Sequence, residues 1–169
     1  TKDGETMKSI WQRNLHQMRL IYDFYSNAVE PCRTGRGIVR KMMSFEDVRQ
    51  FLRDFGIMPT YCDLSTLQTY YRGCKLWEWS QAFEILQETY ETLDEEETDV
   101  LFTAGNFGLS LFGLFEMLSR VAIRSRLDKQ PSNALRSLLR VMDLSGGKQR
   151  LAEASRGCIM ISTFNTLRE

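Results

Sequence analysis

Few residues in this sequence could do chemistry, and their spacing decides which chemistry remains open. A calcium loop needs oxygen ligands at positions 1, 3, 5, 9 and 12, with glycine at position 6. Three stretches invite the comparison. Residues 26–43 carry Glu30 as their one carboxylate, among Arg33, Arg36, Arg40 and Lys41, so a calcium ion would meet a repulsive field there. The run Asp94–Asp99 is acidic, but it lacks the alternating carboxylates, the glycine and the closing glutamate. The third, Asp143-Leu144-Ser145-Gly146-Gly147-Lys148, puts lysine at position 6 and Glu153 at position 11 instead of 12. Calcium binding is not expected.

Catalytic groups are equally sparse. The single histidine, His16, falls inside an amphipathic helical pattern and reads as a helix residue, not as the base for a nucleophile. Cys32, Cys62, Cys74 and Cys158 form no C-x-x-C pair and read as reduced thiols of a cytoplasmic protein. No GxxxxGK[ST] phosphate loop occurs. Gly105-Asn106-Phe107-Gly108 and Ser145-Gly146-Gly147-Lys148 lack a preceding strand and read as helix breakers. The expectation is a non-catalytic protein with no cofactor and no metal.

The elements that would position these groups are helices. The 169 residues, 43 % of them hydrophobic, can build a core, and no apolar run is long enough to span a membrane. Trp11, Leu15, Met18, Tyr22, Tyr25 and Val29 alternate steps of four and three, which predicts one helix over about Lys8 to Val29. Ser44 caps a second helix carrying Val48, Phe51, Leu52 and Phe55, with Asp47 at the capping-box position and Gly56 as terminator. Asp63 caps a third that ends near Gly73, and Trp77 to Leu93 reads as a fourth. Ser110 opens a strongly apolar helix, and Pro131 fits the first turn of another, with Ala134, Leu135, Leu138, Leu139 and Met142 inward and Gly146-Gly147 at its end. No period-two strand is evident, so the fold class is all-α, with seven or eight helices. Beginning at Thr1, the chain reads as a piece of a longer protein.

A zero net charge conceals an asymmetry. Residues 1–100 carry 12 cations against 17 anions, and residues 101–169 carry 10 against 5. The surplus cations Arg120, Arg124, Arg126, Lys129, Arg136 and Arg140, with Arg33, Arg36, Arg40 and Lys41 in the basic loop, are the candidate binding residues for an anionic protein surface. The balanced total argues against nucleic acid.

The pattern also repeats. Phe45, Val48 and Phe51 align with Phe112, Phe115 and Leu118, each set following an aromatic-rich helix and an irregular loop. Ile161 to Leu167 reads as a third, weaker copy after the helix ending in Val141-Met142-Asp143. Helix, loop and helix in tandem is the layout of an EF-hand pair.

Four segments carry a resemblance beyond pattern: Leu20–Ser26 (LIYDFYS), Met43–Pro59 (MSFEDVRQFLRDFGIMP), Cys62–Arg72 (CDLSTLQTYYR) and Leu109–Ala122 (LSLFGLFEMLSRVA). Together they resemble the tubulin polymerization-promoting protein family and related EF-hand-like modules of cytoskeletal and ciliary proteins. The resemblance spans about residues 15–126, interrupted by an insertion at 73–108. It implies an EF-hand-like pair over residues 8–127, and residues 128–169, outside the match, read as a C-terminal helical extension. It also implies a calcium-independent interaction module, cytoplasmic and associated with microtubules, another filament or a cilium. The alternative is a light-chain-like adaptor that clamps a partner's amphipathic helix in a groove adapted by Met7, Met18, Met42, Met43, Met58 and Met117.

Overall fold

A computed structural model describes residues 6–30, 40–74 and 108–166. Among these residues the chain is predominantly helical. In order they form α1 (Met7–Arg13), α2 (Leu15–Tyr25), β1 (Ala28–Glu30), β2 (Arg40–Met42) and α3 (Phe45–Asp54). There follow α4 (residues 64–74), α5 (Leu111–Arg124), α6 (Pro131–Leu144) and α7 (Gly147–Ala154). The two strands pair antiparallel, with Ala28 opposite Met42 and Glu30 opposite Arg40. The all-α expectation omitted this ribbon, because three-residue strands are too short to display an alternating pattern. The expected helix from Trp77 to Leu93, the acidic run Asp94–Asp99, and Arg33 and Arg36 lie outside the described residues. So does most of the insertion at 73–108.

The first helix is two helices. Asn14 interrupts the run expected over Lys8–Val29, and the second part ends at Tyr25. Asn14 is fully buried, and its side-chain amide donates to Ile10 C=O at 2.8 Å. An asparagine that bonds the preceding turn competes with the helix for its backbone. Its remaining bonds go to Asn165, far away in sequence. That is why the periodicity alone reads straight through it.

The second helix follows its sequence closely. Ser44 Oγ accepts from Asp47 N–H at 3.2 Å, and Asp47 Oδ2 accepts from Ser44 N–H at 2.9 Å, completing the capping box. Asp47 also reaches the other end of the preceding loop, accepting from the Asn27 backbone N–H at 3.2 Å and the Asn27 side chain at 3.0 Å. Burial pushes this carboxyl up, but hydrogen bonds from Asn27 and Ser44 outweigh it and hold the group below its usual range. A depressed folded value means stability that is present above the unfolded value, near 4, and is lost as pH falls through the folded one. Asp47→Ala is expected to cost about 1–2 kcal/mol in urea unfolding at neutral pH. The gap to the parent protein should close in acid.

The helix ends with Gly56 at φ +74° and Ile57 N–H donating to Leu52 C=O at 2.8 Å, which satisfies the terminal carbonyls. Asp63 caps α4 as expected, accepting from Thr66 N–H at 2.7 Å, and the helix is still intact at residue 74, past Gly73. Ser110 caps α5 through Gly113 N–H at 3.1 Å, and Pro131 occupies the first turn of α6. The five apolar residues assigned to the inner face of α6 are all fully buried. Gly146-Gly147 does end α6, but Gly147 also starts α7, a helix the sequence did not reveal. A Cβ on Gly147 would lie 2.7 Å from the Phe55 ring and 2.8 Å from the Asp54 carbonyl, so α7 can begin against α3 only on glycine.

Ile161 to Leu167, read as the helix of a third copy, has no helix over its described residues 161–166. α6 and α7 share one core with the other helices, and residues 158–166 form neither helix nor strand. Phe164 is buried at 3 % exposure, and its backbone N–H donates to Asp143, so the tail is fixed by contacts with α6 and not by its own helix.

The residues that precede α3 and α5 are paired. Met43, just before the Ser44 cap, forms an antiparallel bridge with Leu109, just before the Ser110 cap. Leu109 N–H donates to Met43 C=O at 2.7 Å and Met43 N–H to Leu109 C=O at 3.2 Å. Each bridge carbonyl receives a second donor from the helix preceding the opposite loop. Tyr22 of α2 donates to Leu109 C=O at 2.6 Å, and Tyr71 of α4 donates to Met43 C=O at 3.4 Å. The exchange ties α2 to the segment before α5 and α4 to the segment before α3. It also shifts the repeat by one residue. Ser44 matches Ser110, so Val48, Phe51 and Leu52 match Leu114, Met117 and Leu118, all fully buried. Phe112, aligned with Phe45 on sequence, is instead 66 % exposed.

Candidate functional site

α5 is apolar on more than one face. Leu114, Met117, Leu118, Val121 and Ala122 enter the core. Phe112, Phe115, Glu116 and Ser119, at helical spacing, line a second face that looks across at α1. Opposite them stand Met7, Lys8, Trp11 and Gln12 of α1 and Leu15 at the start of α2. Between the two walls is a half-open groove of about 510 Å³.

Its floor is rigid. The Trp11 and Phe115 rings stack at 4.4 Å between centroids and 8° between planes, and Trp11 Nε1 donates to Ser119 Oγ at 3.0 Å. Both aromatics are nearly buried, with Phe112 edge-on to Phe115 at 6.0 Å and forming the exposed lip. Charge is confined to the rims, Lys8 on α1 and Glu116 on α5, the latter paired with Arg120 at 3.0 Å. An apolar slot with a fixed aromatic floor and one charge of each sign on its edges can take bulky apolar side chains. It offers no converging acid, base and nucleophile.

Among the described residues, the cations selected from sequence differ in exposure and partners. Arg120 pairs with Glu116 and lies against Gly73 of α4. Arg124 is exposed, with its guanidinium 5.9 Å from the centre of the Tyr70 ring. Arg126 and Lys129 are exposed in the turn between α5 and α6, and Arg140 is exposed on α6, about 14 Å along that helix from its start. Arg136 is buried at 6 % exposure, with Nη1 donating to Asn133 Oδ1 at 2.5 Å, and so does not belong to an exposed binding face. Arg40 and Lys41 enter only as backbone of β2.

The methionines assigned to an adaptable groove divide in the same way. Met18, Met43, Met58 and Met117 are buried core residues, and only Met7 of the six lines the groove. His16 is exposed on α2. Burial, then the neighbouring Asp63, pushes the Cys62 thiol up to about 11. Among the described residues, no group of three or more His, Cys, Asp or Glu side chains is placed to hold a metal ion. No helix there is long and apolar enough to cross a membrane.

The groove was legible in principle. A 14-residue helix with a mean composition as apolar as α5 is too rich for a single buried stripe, and Trp11 recurs one helical face away from Ile10. Comparison with known proteins adds no relative, since no family model, no curated protein and no solved structure matches this chain.

Proposed function

We propose that the chain is a non-catalytic, calcium-independent protein-interaction module, built on a pair of EF-hand-like units, that holds an amphipathic helix of a partner protein in the groove between α1 and α5. The groove carries the reading. Its aromatic floor is fixed while Phe112 remains two-thirds exposed on the lip, an uncovered aromatic beside an apolar slot. Lys8 and Glu116 complement a helix that places apolar anchors on one stripe with an acid and a base beside them.

The paired-unit reading is supported by the Met43–Leu109 bridge, the matching serine caps and the exchanged tyrosines. Calcium independence is supported by Asp47. Ser44 and Asp47 have the spacing of the last two ligand positions of a calcium loop, 9 and 12. Asp47 spends its oxygens on Asn27 and Ser44, so hydrogen bonds close the loop where a metal would. In the second unit the corresponding residue is Gly113, which has no ligand to offer.

Association with microtubules or another filament, in the cytoplasm or a cilium, rests on the family resemblance. It would draw on Arg124, Arg126 and Lys129, the exposed cations around the end of α5. Co-sedimentation with polymerised tubulin that weakens with salt and with neutralisation of these three would support it.

The groove is tested with a panel of amphipathic helical peptides in calorimetry. Binding should be the same in calcium and in EDTA, and Phe112→Glu should weaken it about tenfold or more while the far-ultraviolet spectrum is unchanged. Binding that ignores Phe112→Glu would place the partner elsewhere.

A further inference from the structure

Residues 159–166 form neither helix nor strand, and side chains of other elements hold their main chain. Asn14 turns its buried amide to the main chain of Asn165. Its Oδ1 accepts from Asn165 N–H at 2.7 Å, and its Nδ2 donates to Asn165 C=O at 3.1 Å, the pairing an adjacent strand would offer. Asp143 accepts from Phe164 N–H through both carboxylate oxygens, at 3.0 and 3.2 Å. Lys148, ion-paired with Asp143, donates to Ser162 C=O at 2.9 Å.

Side chains of the segment engage the fold at several points, with Thr166 buried at 9 % exposure and Ile159 and Ile161 packed against the core. Phe164 is buried, with the Lys148 ammonium 4.8 Å from its ring centre, and Ser162 Oγ accepts from Gln17 at 3.0 Å. Thr163 and Met160 face solvent. The receiving groups come from the α1–α2 break, α2, the end of α6 and α7, four places that share no other task described above.

We propose that this channel is a second peptide-binding site, specific for extended segments with a phenylalanine anchor two residues after a serine or threonine, and occupied in cis by Ser162–Asn165. Main-chain contacts supply most of the bonding, as in recognition by strand addition, and the phenylalanine pocket supplies selectivity. The segment is joined to α7 through Arg156 and Gly157, both at positive φ, with open space around Gly157. Its departure gives up the buried Phe164 and Thr166, the core contacts of Ile159 and Ile161, and the bonds named here. A partner segment of the same pattern replaces it.

The site is independent of the α1/α5 groove and is tested separately. A protease site introduced at Gly157-Cys158 allows the folded chain to be cut, and a labelled peptide of residues 158–166 is then titrated against it. The peptide should exchange into the cut protein and be displaced by unlabelled peptide. The same peptide carrying Phe164→Ala should bind roughly a hundredfold more weakly, and an Asn14→Ala protein roughly tenfold. A cut protein that stays folded and takes no peptide, or an equal competition by the Phe164→Ala peptide, overturns the proposal. If the cut chain unfolds, the intact chain bearing Phe164→Ala is titrated instead. It should bind the unmodified peptide, and a folded protein that does not overturns the proposal equally.

Discussion

Replacing Trp11 with alanine is expected to cost about 3–5 kcal/mol of stability, near the upper range for a single buried side chain. Three losses coincide at this residue. Its burial at 7 % exposure is forfeited, its stacking on Phe115 at 4.4 Å disappears, and Ser119 Oγ loses the indole donor at 3.0 Å. Trp11→Phe separates them, since it keeps most of the apolar contact and removes the donor. A cost of about 1 kcal/mol is expected for that variant. Urea denaturation followed by circular dichroism measures both. Because Trp11 is also the groove floor, the alanine variant should lose peptide binding even where it remains folded. A Trp11→Ala protein as stable as the parent would mean that α1 is not seated against α5.

The second large effect is expected at Gly108. A Cβ there would lie 2.7 Å from both the Met42 Cβ and the Met43 carbonyl oxygen, and 2.9 Å from the Met43 carbonyl carbon. Two of these three neighbours are backbone atoms of the Met43–Leu109 bridge, so nothing nearby can rotate away. Gly108→Ala is therefore expected to destabilise the protein by about 2–3 kcal/mol. The damage should be local as well as global. Amide hydrogen exchange at Met43 and Leu109 should accelerate more than exchange in α6, where the helix keeps its own bonds. Uniform acceleration would assign the effect to general destabilisation, and no effect would contradict the close approach of the two loops.

The sequence showed what local physics dictates. The Ser44–Asp47 box, the Gly56 stop, the Asp63 and Ser110 caps and Pro131 are short-range signals, and each fixes a boundary the structure reproduces. What it concealed depends on distant partners. Asn14 breaks a helix because it bonds Asn165, and the tail is not helical because Asp143 and Lys148 hold it, neither of which a periodicity can register. The repeat was visible but misaligned by one residue. Large aromatics mark a helix less reliably than the cap that starts it, and Phe112 stands on a face the other copy does not use.

The candidate site followed the same division. A charge count locates cations in sequence but not on one surface. Arg136 is buried beside Asn133, and Arg120 is committed to Glu116. The groove arises where α1 meets α5, two segments separated by most of the chain. Its signal was an excess of apolar residues over what a single core face can use, spread over both segments.

A partner helix bound between α1 and α5 without calcium would lie against Trp11. The most direct measurement is the Trp11 indole N–H resonance, assigned by its loss in Trp11→Phe, followed as an amphipathic helical peptide is added. This resonance should shift saturably, equally in calcium and in EDTA, and Phe112→Glu should abolish the shift. A peptide that binds while the Trp11 signal stays in place, or a shift that requires calcium, would contradict calcium-independent binding there.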